Sequence, residues 1–177
     1  MNLIPDIAKA VAAKLEDAGY AVCRSYVPAI TDEFLDQRLV QVRGGEATLD
    51  RSTGNNFFVD LQGGDVSGLL IIVCPSSLET ELLNRGSDQD DLGIDVAVAA
   101  RVSHPDATQE VDLLMSVPER LKSLLRGKLQ PDGPEGTPHA TWIGRRSALY
   151  DLKTLQERGV FVHKTTHLFR VLGAEAD

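Results

Sequence analysis

A chain of 177 residues with 42% hydrophobic and 25% charged residues is long enough to bury one domain core, and too ordinary in composition for wholesale disorder or a fibrous repeat. Its 18 Lys and Arg stand against 26 Asp and Glu, a formal charge of −8 that disfavours tight wrapping around a phosphate backbone. No apolar run approaches the roughly 20 residues of a membrane span, and the opening Met1-Asn2-Leu3-Ile4-Pro5-Asp6 lacks a basic region followed by an apolar one, so synthesis and folding in the cytoplasm are expected.

Residues 5–18 place Ile7, Val11, Leu15 and Ala18 at helical spacing, with Pro5 tolerated in the first turn and Gly19 just past the end. An amphipathic helix is predicted there, followed by a strand over 20–27 that Pro28 ends. From Asp32 to Gly68 the pattern weakens. Short strands are expected at 39–42 and 57–59, but glycine pairs surround them, and residues 36–68 read as a hairpin or projecting arm unable to build its own core. Leu69 to Cys74 is a continuous apolar run closed by Pro75, which predicts a central strand buried on both faces. Residues 76–91 are polar and charged. Ile94, Val96, Val98, Ala100 and Val102 then alternate with small or polar residues over a full strand.

A second main helix is expected over 109–126, closed by Gly127. Pro118 either kinks it or marks a restart with Ser116 as N-cap and Glu119 completing a capping box. Three prolines and two glycines make 130–138 an exposed loop. A short strand at 140–143, a helical turn at 152–158 ended by Gly159 and a last strand at 160–171 complete the chain, with 173–177 a loose tail. The fold class that follows is α+β: one domain over 1–177, with a mixed, mainly antiparallel sheet packed against two main helices.

No arranged set of reactive groups emerges. The glycine pairs lack the Lys-Ser/Thr and the strand–turn–helix context of a phosphate-binding loop. His163 and His167 are expected to share a strand face, packed or solvated, because a closed metal site needs four ligands and these positions supply two. Ser76 and Ser77 lack a Gly-x-Ser-x-Gly elbow, so a turn or N-cap is expected. Asp88-Gln89-Asp90-Asp91 lacks calcium-loop spacing and reads as surface charge. Cys23 and Cys74, 51 positions apart, read as two buried reduced thiols, with a disulfide or a reactive thiol as the alternatives. No catalytic residue, cofactor or metal is expected.

The order of elements carries a further signal. A helix and a strand ending at Pro28 precede Leu70-Ile71-Ile72-Val73-Cys74-Pro75, Glu79-Thr80-Glu81 and Arg85, then a strand at 94–102. Glu110-Val111-Asp112-Leu113-Leu114 follows, then Ala148-Leu149-Tyr150-Asp151 and Leu155 before Gly159-Val160-Phe161, and a strand ending at Phe169-Arg170. Over residues 5–172 this order resembles the tail terminator (tail completion) proteins of the head–tail joining group of long-tailed bacteriophages. It departs from that pattern in the long, glycine-rich Asp36–Gly68 region.

The resemblance implies a virion structural protein at the tail or neck, not an enzyme. Such proteins form a ring, typically a hexamer, at the head-proximal end of the tail tube. The ring ends tube polymerisation and presents a docking surface to the head connector or stopper, while DNA passes through its lumen without specific binding. An acidic lining would keep the duplex from sticking, so Glu79, Glu81, Asp88, Asp90 and Asp91 are the candidate channel-lining carboxylates. Other readings stay open: a head-side neck or stopper protein, a small enzyme, or a monomeric adaptor.

Overall fold

The computed structural model describes residues 2–20, 22–26, 58–61, 64–67, 69–84, 87–102, 108–131 and 139–172. In chain order the elements are α1 (Leu3–Asp17), β1 (Val22–Arg24), β2 (Phe58–Leu61), β3 (Gly64–Ser67), β4 (Leu69–Asn84), β5 (Ser87–Arg101), α2 (Thr108–Leu125), β6 (Lys128–Leu129), β7 (Ala140–Tyr150), α3 (Leu152–Arg158) and β8 (Val160–Leu172).

Helix α1 buries Ile7, Ala8, Val11, Ala12 and Leu15, a stripe at three- and four-residue steps. It stops where expected. Gly19 takes a φ of +92°, and the Gly19 and Tyr20 N–H groups close back on the Glu16 and Leu15 carbonyls at 2.9 and 3.1 Å. Helix α2 buries Leu114, Val117, Pro118, Leu121 and Leu125. It runs through Pro118 without restarting. Ser116 is interior and donates its hydroxyl to the Leu113 carbonyl at 2.6 Å, and the Glu119 side chain turns outward to Arg145, so no capping box forms. The short α3 is capped by Asp151, whose carboxylate accepts from Thr154 N–H at 3.0 Å and from its hydroxyl at 2.7 Å.

Six strands form one sheet in the order β1-β4-β5-β8-β7-β6. Only β1–β4 is parallel, so the expected α+β architecture, a mixed and mainly antiparallel sheet on two main helices, is the one observed. One face carries Leu69, Ile71 and Val73 of β4, Leu92, Ile94, Val96, Val98 and Ala100 of β5, and Phe161, Phe169 and Val171 of β8. Both main helices close over it, with α1 against β1 and β4 and α2 against β5 and β8. On the other face Leu70, Ile72, Ala97, Ala99 and Val162 are buried as well, which makes the 69–74 run apolar on both sides as its composition implied.

Several boundaries differ from expectation. The polar stretch 76–91 is not a connection: β4 and β5 run through it as one long antiparallel hairpin, paired from Leu69↔Ala100 out to Asn84↔Ser87. Ser76 is skipped by the register at a bulge between Pro75 and Ser77, so it is neither a turn residue nor an N-cap. Strand β4 lies one place in from the β1 side of the sheet, whereas β5 and β8 hold its centre. The last part of the chain also changes: β7 extends to Tyr150, past two further irregularities, and a two-residue strand β6 precedes the proline-rich loop. Strands β2 and β3 pair antiparallel in a separate two-stranded sheet. The strand at 39–42, the rest of 36–57 and the tail 173–177 lie outside the described residues, as does most of the loop at 130–138.

Candidate functional site

Pairing register decides which side chains share a face, because residues directly opposite one another across an antiparallel ladder point the same way. All five candidate carboxylates fall on the outer half of the β4–β5 hairpin. Glu79 stands opposite Asp91, Thr80 opposite Asp90, Glu81 opposite Gln89 and Leu82 opposite Asp88. Thr80 donates its hydroxyl to Asp90 at 2.6 Å on the helix-side face. Glu79 and Asp91 belong to the opposite face. There the register runs across five strands as Glu79, Asp91, Arg170, Thr141 and Lys128.

That row is ordered by charge. Arg170 Nε and Nη2 donate to Asp91 Oδ1 and Oδ2, each at 2.8 Å, a bidentate pair that holds the Asp91 carboxyl below its usual range. Gln89, almost buried, accepts from the same guanidinium at 3.0 and 2.9 Å when its amide oxygen is turned toward it. Four residues along β5 from Asp91, Asp95 is only 7% exposed. It lies 3.5 Å from Lys164 Nζ and accepts the Thr166 hydroxyl at 2.6 Å. Between these carboxylates sits Gly93, where a Cβ would stand 2.3 Å from Ser77 Oγ. Glycine there leaves room for the Ser77 side chain.

Arg146 of β7 reaches Glu79 of β4 at 3.6 Å, although β5 and β8 lie between the two strands. In a flat sheet three strand spacings separate them by roughly 14 Å, so the contact requires the sheet to curl toward this face. The face is therefore concave and bipolar. Among the described side chains, its carboxylates, Glu79, Asp91 and Asp95, are on β4 and β5, and its cations, Lys164, Arg170, Arg146 and Lys128, are on β8, β7 and β6. Two of the five candidate carboxylates, Glu79 and Asp91, thus already face cations of their own chain.

The helix-side face carries a different polar group. His167 is 1% exposed and its Nδ1 accepts from Trp142 Nε1–H at 3.2 Å, with burial first and the Arg145 charge second lowering its pKa to about 4. His163 shares the face and is also shifted down by burial. Arg145 bridges to Glu119 of α2 at 2.6 Å, and Lys122 joins the same carboxylate at 3.4 Å. The histidines are therefore packed, as one of the two expected outcomes held. Of the two thiols, Cys74 is buried, and burial together with the Asp95 charge pushes its pKa up, away from nucleophilic character. Cys23 is partly exposed, contrary to its expected burial.

Among the described residues, no three His, Cys, Asp or Glu side chains are grouped to hold a metal ion, and no helix is long and apolar enough to cross a membrane. The largest described hollow, about 560 Å³, lies between the end of α1 and α2, where Tyr20, Glu119, Arg120 and Leu124 line it. A second, about 410 Å³, opens at the β6–β7 edge between Lys128, His139, Thr141, Ile143, Arg170 and Leu172.

Fold and face together define an α+β protein, and among its described residues the most organised polar feature is the charge-ordered sheet face. No protein-family model matches the chain, and no curated protein matches it in sequence.

Sequence reasoning located the acids, because they cluster in a short run. It missed the cations that answer them. Arg146, Lys164 and Arg170 are separated from the acids by 55 or more residues and meet them only through the strand order, and the one available signal was the alternation of Lys164, Thr166 and Arg170 along the last strand.

Proposed function

We propose that this chain is a structural, non-enzymatic subunit that works by assembling with copies of itself into a ring. The order of its elements points to the tail terminator role in a long-tailed phage virion. The ring would sit on the head-proximal end of the tail tube, stop its growth, and offer the other face to the head connector.

One observation carries the reading: the sheet has two long, unlike edges on opposite sides. Beyond Val73, strand β4 has no neighbour on its outer side from Pro75 to Asn84 among the described residues, and beyond Trp142, β7 has none from Ile143 to Tyr150. Unpaired edges are a liability in a monomer and a means of assembly in an oligomer, and two unlike edges favour head-to-tail contacts that close into a ring. A proline at the start of the open stretch of β4 fits an edge position. Glu79 and Asp91 are partly neutralised by Arg146 and Arg170, which lessens their share in any repulsive lining of the lumen.

Light scattering on the purified chain tests the reading, with negative-stain imaging of the same sample. A closed particle of several subunits is expected, and adding it to polymerising tail-tube protein should shorten the tubes. A chain that stays monomeric at high concentration, with intact tails when its gene is deleted, would overturn it.

A further inference from the structure

The charged row on the concave face ends differently at its two sides, and each end coincides with a step in the outline of the sheet. On the β4 side, β1 pairs only with Ile71–Val73, which among the described residues leaves a notch below it along Pro75–Asn84. On the other side, β6 pairs only with Ala140 and Thr141, forming a tongue at the level of Glu79 and leaving β7 open above it. Tongue and notch lie at the same height, because Lys128, Thr141, Arg170, Asp91 and Glu79 occupy one row.

Chemistry at the two ends is complementary as well. The notch presents Glu79, whose side chain is 67% exposed despite its contact with Arg146. The tongue presents Lys128 at the rim of the 410 Å³ hollow, whose walls include the exposed Ile143 and Leu172. An acidic edge thus stands at one side of the concave face and a basic edge at the other.

We propose that the partner of the β6–β7 edge is the β4 edge of a second copy of this chain, with β6 seated in the notch below β1 and Lys128 facing Glu79 of the neighbour. The charged row then continues from one subunit into the next. Strand polarity permits it. Strands β6 and β4 run in the same direction, since each is related to β8 by an even number of antiparallel steps, so β6 adds to the neighbour's β4 as β1 does, in parallel. Because the contact joins unlike surfaces, a growing chain keeps one free edge at each end until the ring closes. This inference rests on the self-assembly reading above and names the surfaces that reading needs.

The test uses the full chain. Light and 15N-labelled protein are mixed, dissociated, reassembled and treated with a zero-length carboxylate–amine cross-linker, and mixed-isotope Glu79–Lys128 peptides are sought by mass spectrometry. In parallel, Lys128→Glu should weaken self-association about tenfold or more by opposing two carboxylates, and adding Glu79→Lys should restore it. Thermal unfolding of each variant checks that the fold is intact. Mixed-isotope links with loss and rescue support the contact. A particle of several subunits that forms without these links and ignores Lys128→Glu overturns the edge contact while leaving the ring reading standing. A persistent monomer overturns both.

Discussion

Acid should unfold this protein through His167 before its carboxylates titrate, and the size of the effect follows from one residue. His167 is 1% exposed on β8, accepts from Trp142 Nε1–H through Nδ1, and has its pKa lowered from 6.5 to about 4 by burial and by Arg145. The folded pKa is depressed, so the unfolded chain binds a proton that the folded chain refuses. Stability is therefore full above about pH 6.5 and falls as pH drops toward 4. At 1.36 kcal/mol per unit, the loss is about 2 kcal/mol at pH 5 and about 3 kcal/mol at pH 4. His163, shifted the same way, adds to the slope, whereas Asp91, Glu119 and Asp151, all held below their usual range, contribute only at lower pH. Urea unfolding of the wild type and His167→Gln between pH 7 and 4.5 isolates the share of one side chain. Gln keeps an acceptor for Trp142 and cannot charge. The wild type should lose about 2 kcal/mol more than the variant by pH 5. Equal slopes would show that His167 is readily protonated in the folded state, and the packing argument would fail.

Removing the α3 cap with Asp151→Ala should cost about 1 kcal/mol, read as a lower urea midpoint at unchanged slope. Phe169→Ala, which empties a fully buried position between β8 and the helices, should cost roughly 3–5 kcal/mol in the same assay. Gly159 closes α3 at φ +62°, so Gly159→Ala should cost about 1 kcal/mol although its Cβ would meet only an ordinary contact, the Val102 carbonyl oxygen at 3.7 Å. A double-mutant cycle of Asp91→Asn and Arg170→Met should give a coupling of roughly 0.5–1 kcal/mol, because the pair is bidentate but partly exposed, and it should shrink at 1 M salt.

What could be read from the sequence was what a periodic apolar pattern enforces. Ile7, Val11 and Leu15 fix α1, the unbroken 69–74 run fixes the buried half of β4, and the alternation from Ile94 to Val102 fixes β5, because burial of those side chains is the dominant local energy. The outer halves of the same strands escaped notice for the converse reason. Between Ser76 and Asp91 the ladder continues with polar residues, so hydrogen bonding to a neighbour, not burial, holds the strand, and no single-strand pattern records that. Strand β7 was truncated at Ile143 because Gly144 and two register shifts break its alternation. Of the candidate site, the acids were visible as a run, while their pairing with Arg146 and Arg170 depends on strand order, which local sequence does not carry. Most of the arm expected at 36–68 lies outside the described residues, and only its last part, β2–β3, can be compared.

The distribution of charge on the concave face bears on why the chain would assemble. Exposed ion pairs contribute on the order of 0–1 kcal/mol each, and interspersed signs would give the monomer as much stability as segregated ones. Among the described side chains the signs are segregated: Glu79, Asp91 and Asp95 on β4 and β5, with Lys164, Arg170, Arg146 and Lys128 on β8, β7 and β6. Segregation adds little inside one subunit, but it gives the two edges opposite sign, and opposite signs at unlike edges select one way for copies to meet. A copy approaching with like edges together would oppose Glu79 to Glu79 or Lys128 to Lys128, which disfavours two-fold pairing and leaves the head-to-tail contact as the attractive one.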